Sequence, residues 1–258
     1  MIVLISTPNN PQTHDSILAT TAVIIPALNE SANMAILLPQ LVELGVGAIL
    51  LCDNGSTDDT ARQASIHGAT IVVHQPTRGY GAACYAGMEA LIHLPNSSQF
   101  DVVAFLDADL ADDVSLLPRL VDPICSGDAD FVIGARAPKH REPGSMSLPQ
   151  IFGNWLATFL IRLGWGHRYR DLGPFRAIRR KCLYRMQMQD RAFGWTVEMQ
   201  IKAVEQNLRI REIEVPYFKR RGKSKISGTV RGVFLAGYWI LSTCARLWMT
   251  KRRRRNAS

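Results

Sequence analysis

No pair of cysteines in this chain stands at metal-binding spacing: Cys52, Cys84, Cys125, Cys182 and Cys244 lie apart in apolar segments. That excludes a CxxC zinc site and argues against a disulfide framework, leaving buried thiols in a reducing compartment. No apolar run reaches the ~20 residues of a single-pass membrane helix. Residues 1 to 20 also lack a basic start followed by a long apolar core, since the greasy run Met1 to Ile5 ends in a Pro/Asn-rich stretch. A mobile arm is expected there, neither signal peptide nor span. There is no recognisable nucleic-acid-binding module. The dinucleotide fingerprint is missing too, because the GxG loop that opens a helix, Gly79-Tyr80-Gly81, has Cys84 at the third glycine position and follows the third expected strand rather than the first.

What is present is an uneven charge. The net charge of +8 over 258 residues divides into +12 from Arg209 to Ser258 and −4 before it. A mildly acidic body with a strongly basic end calls for an anionic partner: a phosphorylated substrate, an anionic membrane surface or nucleic acid.

From Thr21 onward, short β-branched runs alternate with helical segments, the signature of a doubly wound α/β domain with a mostly parallel sheet. Expected strands are Ala22 to Pro26, Ala48 to Asp53, Thr70 to His74, Val102 to Asp107 and Phe131 to Ala135. Helices are expected from Ser31 to about Leu44, from Thr57 or Asp58 to about Ile66, from Gly81 to Leu94 and from Val114 to Ser126. The domain boundaries expected are 1–20 for the arm, 21–227 for the catalytic body and 228–258 for an apolar helix and basic tail.

Ligands of open α/β sheets bind outside the carboxyl ends of the strands. Asp107-Ala108-Asp109 closes the apolar run Val102 to Leu106, putting two carboxylates in DxD spacing at that edge, a pair suited to a hard divalent cation and a nucleoside diphosphate. Pro26-Ala27-Leu28-Asn29-Glu30 and Asp53-Asn54-Gly55-Ser56-Thr57-Asp58 end the first two strands; Glu30 and Asp53 are candidates for bonding a ribose or base edge. Arg78-Gly79-Tyr80-Gly81 opens a helix, with an arginine and free backbone N–H groups expected to suit phosphate.

In their order and approximate spacing, PALNE, CDNGSTDDT, RGYGAA and LDADL resemble the family 2 inverting glycosyltransferases with the GT-A fold. Asp171-Leu172-Gly173-Pro174-Phe175-Arg176, then Trp195-Thr196-Val197-Glu198, then Arg221-Gly222-Lys223-Ser224-Lys225, resemble the polyprenyl-phosphate (dolichyl-phosphate) mannose and glucose synthase branch. The resemblance covers about Thr21 to Trp248. It implies that Pro26, Ala27, Glu30 and Asp53 hold the nucleoside, and that Asp107 and Asp109 position the sugar nucleotide with Mg2+ or Mn2+. It further implies that Asp171 and Arg176 line the sugar and acceptor phosphate, that Arg136 lies near the acceptor, and that Arg221 and Lys225 grip phosphates. Many relatives carry two consecutive aspartates where this chain has Asp53-Asn54, so no acid role passes to Asn54.

These expectations combine into transfer of a hexose from a nucleotide sugar, UDP-glucose first and GDP-mannose next, to a polyprenyl phosphate, at the cytoplasmic face of a membrane. Asp109, Asp171 and Arg176 are the candidate catalytic residues. An ionised lipid phosphate needs little general base; positioning two repelling anions matters more. Val233 to Ala245 is a charge-free run of 13 residues, extended by Leu247-Trp248-Met249 and closed by Lys251-Arg252-Arg253-Arg254-Arg255. It reads as a surface-lying membrane helix or a core helix, with Phe152 to Trp165 as a second contact. The alternatives are a soluble enzyme acting on a small-molecule or protein hydroxyl and, more remotely, a non-catalytic nucleotide-sugar- or nucleic-acid-binding protein; the oligomeric state stays open.

Overall fold

The computed structural model describes residues 17–222 and 230–257, with the backbone alone at 230–236 and 253–257. Seven strands, β1 (Thr21–Ala27), β2 (Ala48–Asp53), β3 (Ile71–His74), β4 (Val102–Phe105), β5 (Phe131–Arg141), β6 (Arg176–Arg179) and β7 (Ile210–Tyr217), form one sheet in the order 3-2-1-4-6-5-7. All run parallel except β6, which is antiparallel to both β4 and β5. The five expected strands are present. β6 and β7 escaped the sequence reading because both are interrupted by charge, Arg176 and Arg179 in one and Arg211, Glu212 and Glu214 in the other.

Eight helices are described: α1 (Ser31–Glu43), α2 (Thr60–Ile66), α3 (Tyr80–His93), α4 (Leu117–Cys125), α5 (Leu148–Trp165), α6 (Arg180–Arg185), α7 (Trp195–Glu205) and α8 (Val230–Ala257). β1 shows why the sheet is covered on both sides. Ala22 and Ile24 belong to the core shared with α3, α5, α7 and α8, whereas Val23 and Ile25 belong to the core shared with α1, α2 and α4. A strand buried on both faces must be apolar at every position, as Ala-Val-Ile-Ile is. Within α5 the Ser147/Gln150 capping box sets the start, and Gly166 at φ 77° accepts the left-handed turn that ends it.

The expected mobile arm needs a correction at its end. Residues 17–19 are helical, Leu18 is buried, and the Thr20 and Thr21 hydroxyls both donate to Ile17 O. Leu18 also accepts the Gly47 N–H, so burial and backbone pairing tie residues 17–20 to the body; residues 1–16 lie outside the described residues.

β1 separates two of its neighbours at a useful place. Its ladder to β4 ends at Ile24–Phe105, while its ladder to β2 continues to Ala27–Asp53. Beyond that point Pro26 has no β4 partner to which its absent N–H would matter, and the chain ends diverge. This is the switch point of the 3-2-1-4 order, and the cleft opens there.

Candidate active site

The cleft is lined by Pro26, Ala27, Leu28 and Glu30 from the end of β1, Asn54 after β2, Arg78, Gly79, Tyr80 and Ala83 at the start of α3, Asp107 to Asp109 after β4, and Phe193 and Arg220. Thus Pro26, Ala27, Glu30, Arg78, Gly79, Asp107 and Asp109, separated by up to 83 positions in the chain, come together on one wall.

Asp107 is partly buried at the cleft, and its Oδ1, itself shielded from solvent, has no hydrogen-bond partner among the described residues. Loss of solvent, then the neighbouring Asp109 charge, pushes its pKa up to about 6. Asp109 is also buried, and its Oδ1 accepts the Ala111 N–H at 3.1 Å. That turn puts Leu110 at φ 61°, a left-handed backbone that a branched side chain adopts only when the surroundings hold it. Asp109 Oδ2 accepts from both Nε, at 2.9 Å, and Nη2 of Arg220. Two adjacent carboxylates, one with an unanswered buried oxygen, form a hard donor set that fits a divalent cation.

Asp112, which the motif reading passed over, lies at the same edge. It is buried, neither carboxylate oxygen has a partner among the described residues, and burial together with Asp107 and Asp109 raises its pKa well above the usual range. Its signal was the acidic run in LDADLADD, read only as far as the DxD.

Asn54 explains its own departure from the two-aspartate pattern. Its amide donates to Gln75 O and Thr77 O, at 3.0 and 2.7 Å, while its carbonyl accepts the Gly79 N–H at 2.8 Å. An aspartate supplies no such donors. Asp53 sits just behind the wall, with its carboxylate accepting from Ser56 N–H at 3.0 Å and 3.4 Å from His74 Nδ1.

Several expectations change. The backbone amides at the start of α3 are not free for phosphate: Gly81 and Ala82 donate to the carbonyls of Ala192 and Arg191. The close approach requires glycine, since a Cβ at Gly79 would lie 2.1 Å from Arg191 O and one at Gly81 2.3 Å from Asp190 O. Arg176 is interior rather than at the cleft, 1% exposed, donating to Leu172 O, Gly173 O and Thr196 O. Burial lowers its pKa, and its work is to satisfy loop carbonyls. Asp171 and Arg136 form a fork with bonds of 2.7 and 2.8 Å, so neither presents an open end to the cleft. Burial works against the Asp171 charge, yet Arg136 prevails and holds its pKa below the ordinary value, which suits an ion-pair partner rather than a base. Arg221 points outward while its N–H donates to Asp109 O; the neighbouring Arg220 is the arginine that enters the cleft. Lys225 lies outside the described residues. Phe193 carried no sequence signal at all.

A model of glycosyl transferase family 2 matches residues 22–186 of this chain. The chain belongs to glycosyl transferase family 2. This family 2 glycosyltransferase is 36% identical over 217 residues to an uncharacterized glycosyltransferase of Mycobacterium tuberculosis, covering 83% of this chain and 93% of that one. It is 28% identical to a dolichyl-phosphate hexose transferase of Haloferax volcanii, covering 86% and 93%. Among solved structures it resembles glucosyl-3-phosphoglycerate synthase from Mycobacterium tuberculosis in complex with Mn2+, uridine-diphosphate and glucosyl-3-phosphoglycerate. That likeness has a TM-score of 0.69 at 21% identity over 94% of this chain and 87% of that one, and it establishes the expected GT-A fold. As a family 2 glycosyltransferase the protein moves a sugar from a nucleotide-sugar donor.

Proposed function

We propose that the protein is a divalent-metal-dependent inverting hexosyltransferase that uses UDP-glucose or GDP-mannose and delivers the sugar to a polyprenyl phosphate at a membrane surface. The observation that carries the donor half is the unpartnered, buried Asp107 oxygen beside Asp109 at the switch-point cleft. Asp107 and Asp109 would hold Mg2+ or Mn2+, which when bound acts as a Lewis acid on the leaving diphosphate. Asp53, behind the wall, would orient the nucleoside through the Asn29–Ser56 and Asp53–Ser56 loop contacts. Arg78 and Arg220 line the cleft and would screen the diphosphate charge, and a single in-line displacement inverts the anomeric carbon. An ionised acceptor phosphate attacks without general-base help, in keeping with Asp171 being held as an ion-pair partner.

The acceptor half is supported by one face of the molecule. Phe152, Trp155 and Phe159 stack in succession along α5 and are exposed, with Leu148 and Leu163 extending the stripe. α8 packs beside it and buries Thr243, Cys244 and Leu247 while exposing Tyr238, Trp248 and Met249, so it is both a packed helix and a surface one. No helix among the described residues is long and apolar enough to cross a membrane. An apolar stripe ending in arginines suits the headgroup boundary of anionic lipid. The dolichyl-phosphate hexose transferase supports the same acceptor class.

A second reading has its own support: the glucosyl-3-phosphoglycerate synthase structures include complexes with phosphoglyceric acid, so a small phosphorylated acceptor is the rival. Radiolabelled UDP-glucose and GDP-mannose, each offered with Mn2+ and either a polyprenyl phosphate or 3-phosphoglycerate, separate the two. Label entering the organic phase is the expected result; label confined to the aqueous product with phosphoglycerate overturns the lipid acceptor.

A further inference from the structure

Arg220 occupies an odd position for a residue meant only to bind phosphate. Its Nε and Nη2 both bond Asp109 Oδ2, while Asp109 Oδ1 accepts the Ala111 N–H, so both oxygens of the buried carboxylate have partners within the protein and Oδ2 is filled by the guanidinium. A carboxylate oxygen held by a guanidinium fork cannot at the same time give its lone pairs to a divalent cation. The arginine and the metal therefore compete for one oxygen.

The backbone around Arg220 does not need to move for that exchange. Phe218 N–H donates to Ala111 O and Arg221 N–H to Asp109 O, both at 2.9 Å, and Asn33 Nδ2 donates to Arg221 O at 3.2 Å. Asp112 and Tyr217 form an antiparallel bridge in the same register. The segment is stitched to the DxD turn on both sides of Arg220, while the Arg220 side chain is 35% exposed and lines the cleft. A side chain on a fixed base, ending in the cleft, can leave Asp109 only for another position in the cleft. In the metal-dependent reading the cation takes Asp107 as well as Asp109, and the donor diphosphate is then the ligand group in the cleft to which the planar fork is well matched.

We propose that Arg220 is an exchangeable counter-ion: it holds Asp109 in the absence of metal, yields that carboxylate to the cation, and then pairs with the diphosphate of the bound donor. This rests on the metal-dependent reading above. Binding of metal and nucleotide is then coupled through one side chain, because metal binding alone must break the Arg220–Asp109 pair, whereas metal with nucleotide gives the arginine a new partner.

The test is Mn2+ binding to the purified full chain, read from the free-ion electron paramagnetic resonance signal, for the wild type, Arg220→Gln, Arg220→Lys and Asp109→Asn, with and without UDP. With the competitor removed, Arg220→Gln should bind Mn2+ alone about three- to tenfold more tightly than wild type, on the scale of one partly exposed ion pair. With UDP present the same variant should hold UDP and Mn2+ about tenfold more weakly, having lost the diphosphate contact. Arg220→Lys, which keeps the charge without the fork, should fall between, and it serves alone if the glutamine variant does not fold. A purely structural arginine would not give effects of opposite sign. Unchanged or weaker Mn2+ binding without UDP, or undiminished UDP binding, overturns the exchange. Asp109→Asn separates the two levels: if it keeps wild-type Mn2+ affinity, the metal assignment itself fails, and if it loses Mn2+ while Arg220→Gln changes nothing, only the exchange fails.

Discussion

Thr243 in α8 donates its hydroxyl to the buried carboxylate of Asp190 at 2.8 Å, and this bond joins the carboxyl-terminal helix to the donor cleft. Asp190 Oδ1 gathers the N–H groups of Ala192 and Gly194, shaping the loop that carries Phe193 into the cleft. The carbonyls of Arg191 and Ala192 then accept from Ala82 and Gly81 at the start of α3. Glu198 completes the anchor by accepting the N–H groups of Gln189 and Asp190. A helix that the proposed function sets against lipid is thus hydrogen-bonded to the loop that carries Phe193 into the donor cleft.

Thr243→Val keeps the shape and removes the donor. It leaves one buried Asp190 oxygen facing Arg246 at 3.9 Å, and should cost about 1–3 kcal/mol of stability. Denaturant unfolding of the full chain measures it. The Michaelis constant for the donor should rise as well, because Phe193 loses its support; a variant as stable and as tight for donor as wild type would show that the α8 bond does not reach the cleft.

Asn54→Asp tests the amide that replaces an acid. The carboxylate still accepts the Gly79 N–H, but it faces the Gln75 and Thr77 carbonyls with no proton to give. The expected result is a loss of about 1–3 kcal/mol in stability and a weaker grip on the nucleotide, with little change in turnover at saturating donor. Thermal unfolding and donor titration check the two parts. A gain in activity would instead assign position 54 a direct role on the ligand.

Part of this site was readable along the chain, and the boundary has a physical reason. Asp107 and Asp109 were legible because a strand of four apolar residues must end in something polar, and a DxD there can serve few purposes. The glycines at 79 and 81 were legible as a close approach but not as an approach to protein; the carbonyls they meet lie more than 100 positions onward. Arg176 and Arg220 illustrate the same limit. Both are arginines in motif-like segments, yet one satisfies interior carbonyls and the other enters the cleft, a difference set by packing of β6 and of the chain after β7. The antiparallel β6 was hidden because pairing between β4 and β5 makes a four-residue strand that its own composition does not announce.

Asp112 should make the metal-free protein lose stability as pH rises. Burial first, then Asp107 and Asp109, raise its carboxyl well above its ordinary value, so the folded chain holds this proton more tightly than the unfolded one. Stability attributable to the group is therefore greatest below the unfolded value, and falls as pH climbs from there towards the folded pKa. In EDTA, Asp112→Asn should be ~1–3 kcal/mol more stable than wild type at pH 7, and the two should converge near pH 4. Unfolding curves across that range decide it; an asparagine variant less stable at pH 7 would mean that the charge is answered in the folded state.

The lipid-facing reading of α5 and α8 makes two predictions that salt separates. Lys251 Nζ donates to Gly164 O at 2.8 Å and caps α5, so a truncation meant to test tail charge must spare it. Removing 253–258 takes away Arg253, Arg254 and Arg255 and should weaken binding to vesicles containing phosphatidylserine by about 1 kcal/mol per arginine at low salt, with the difference shrinking as salt is added. Trp155→Ser removes an aromatic that is 55% exposed, so the fold should be nearly unaffected while binding drops about tenfold at every salt concentration. Sedimentation with vesicles of defined composition reads both. If the serine variant binds as wild type while the truncation does not, the arginines alone hold the protein to lipid and the α5 stripe belongs to another surface; if neither changes, the stripe and the tail do not face a membrane.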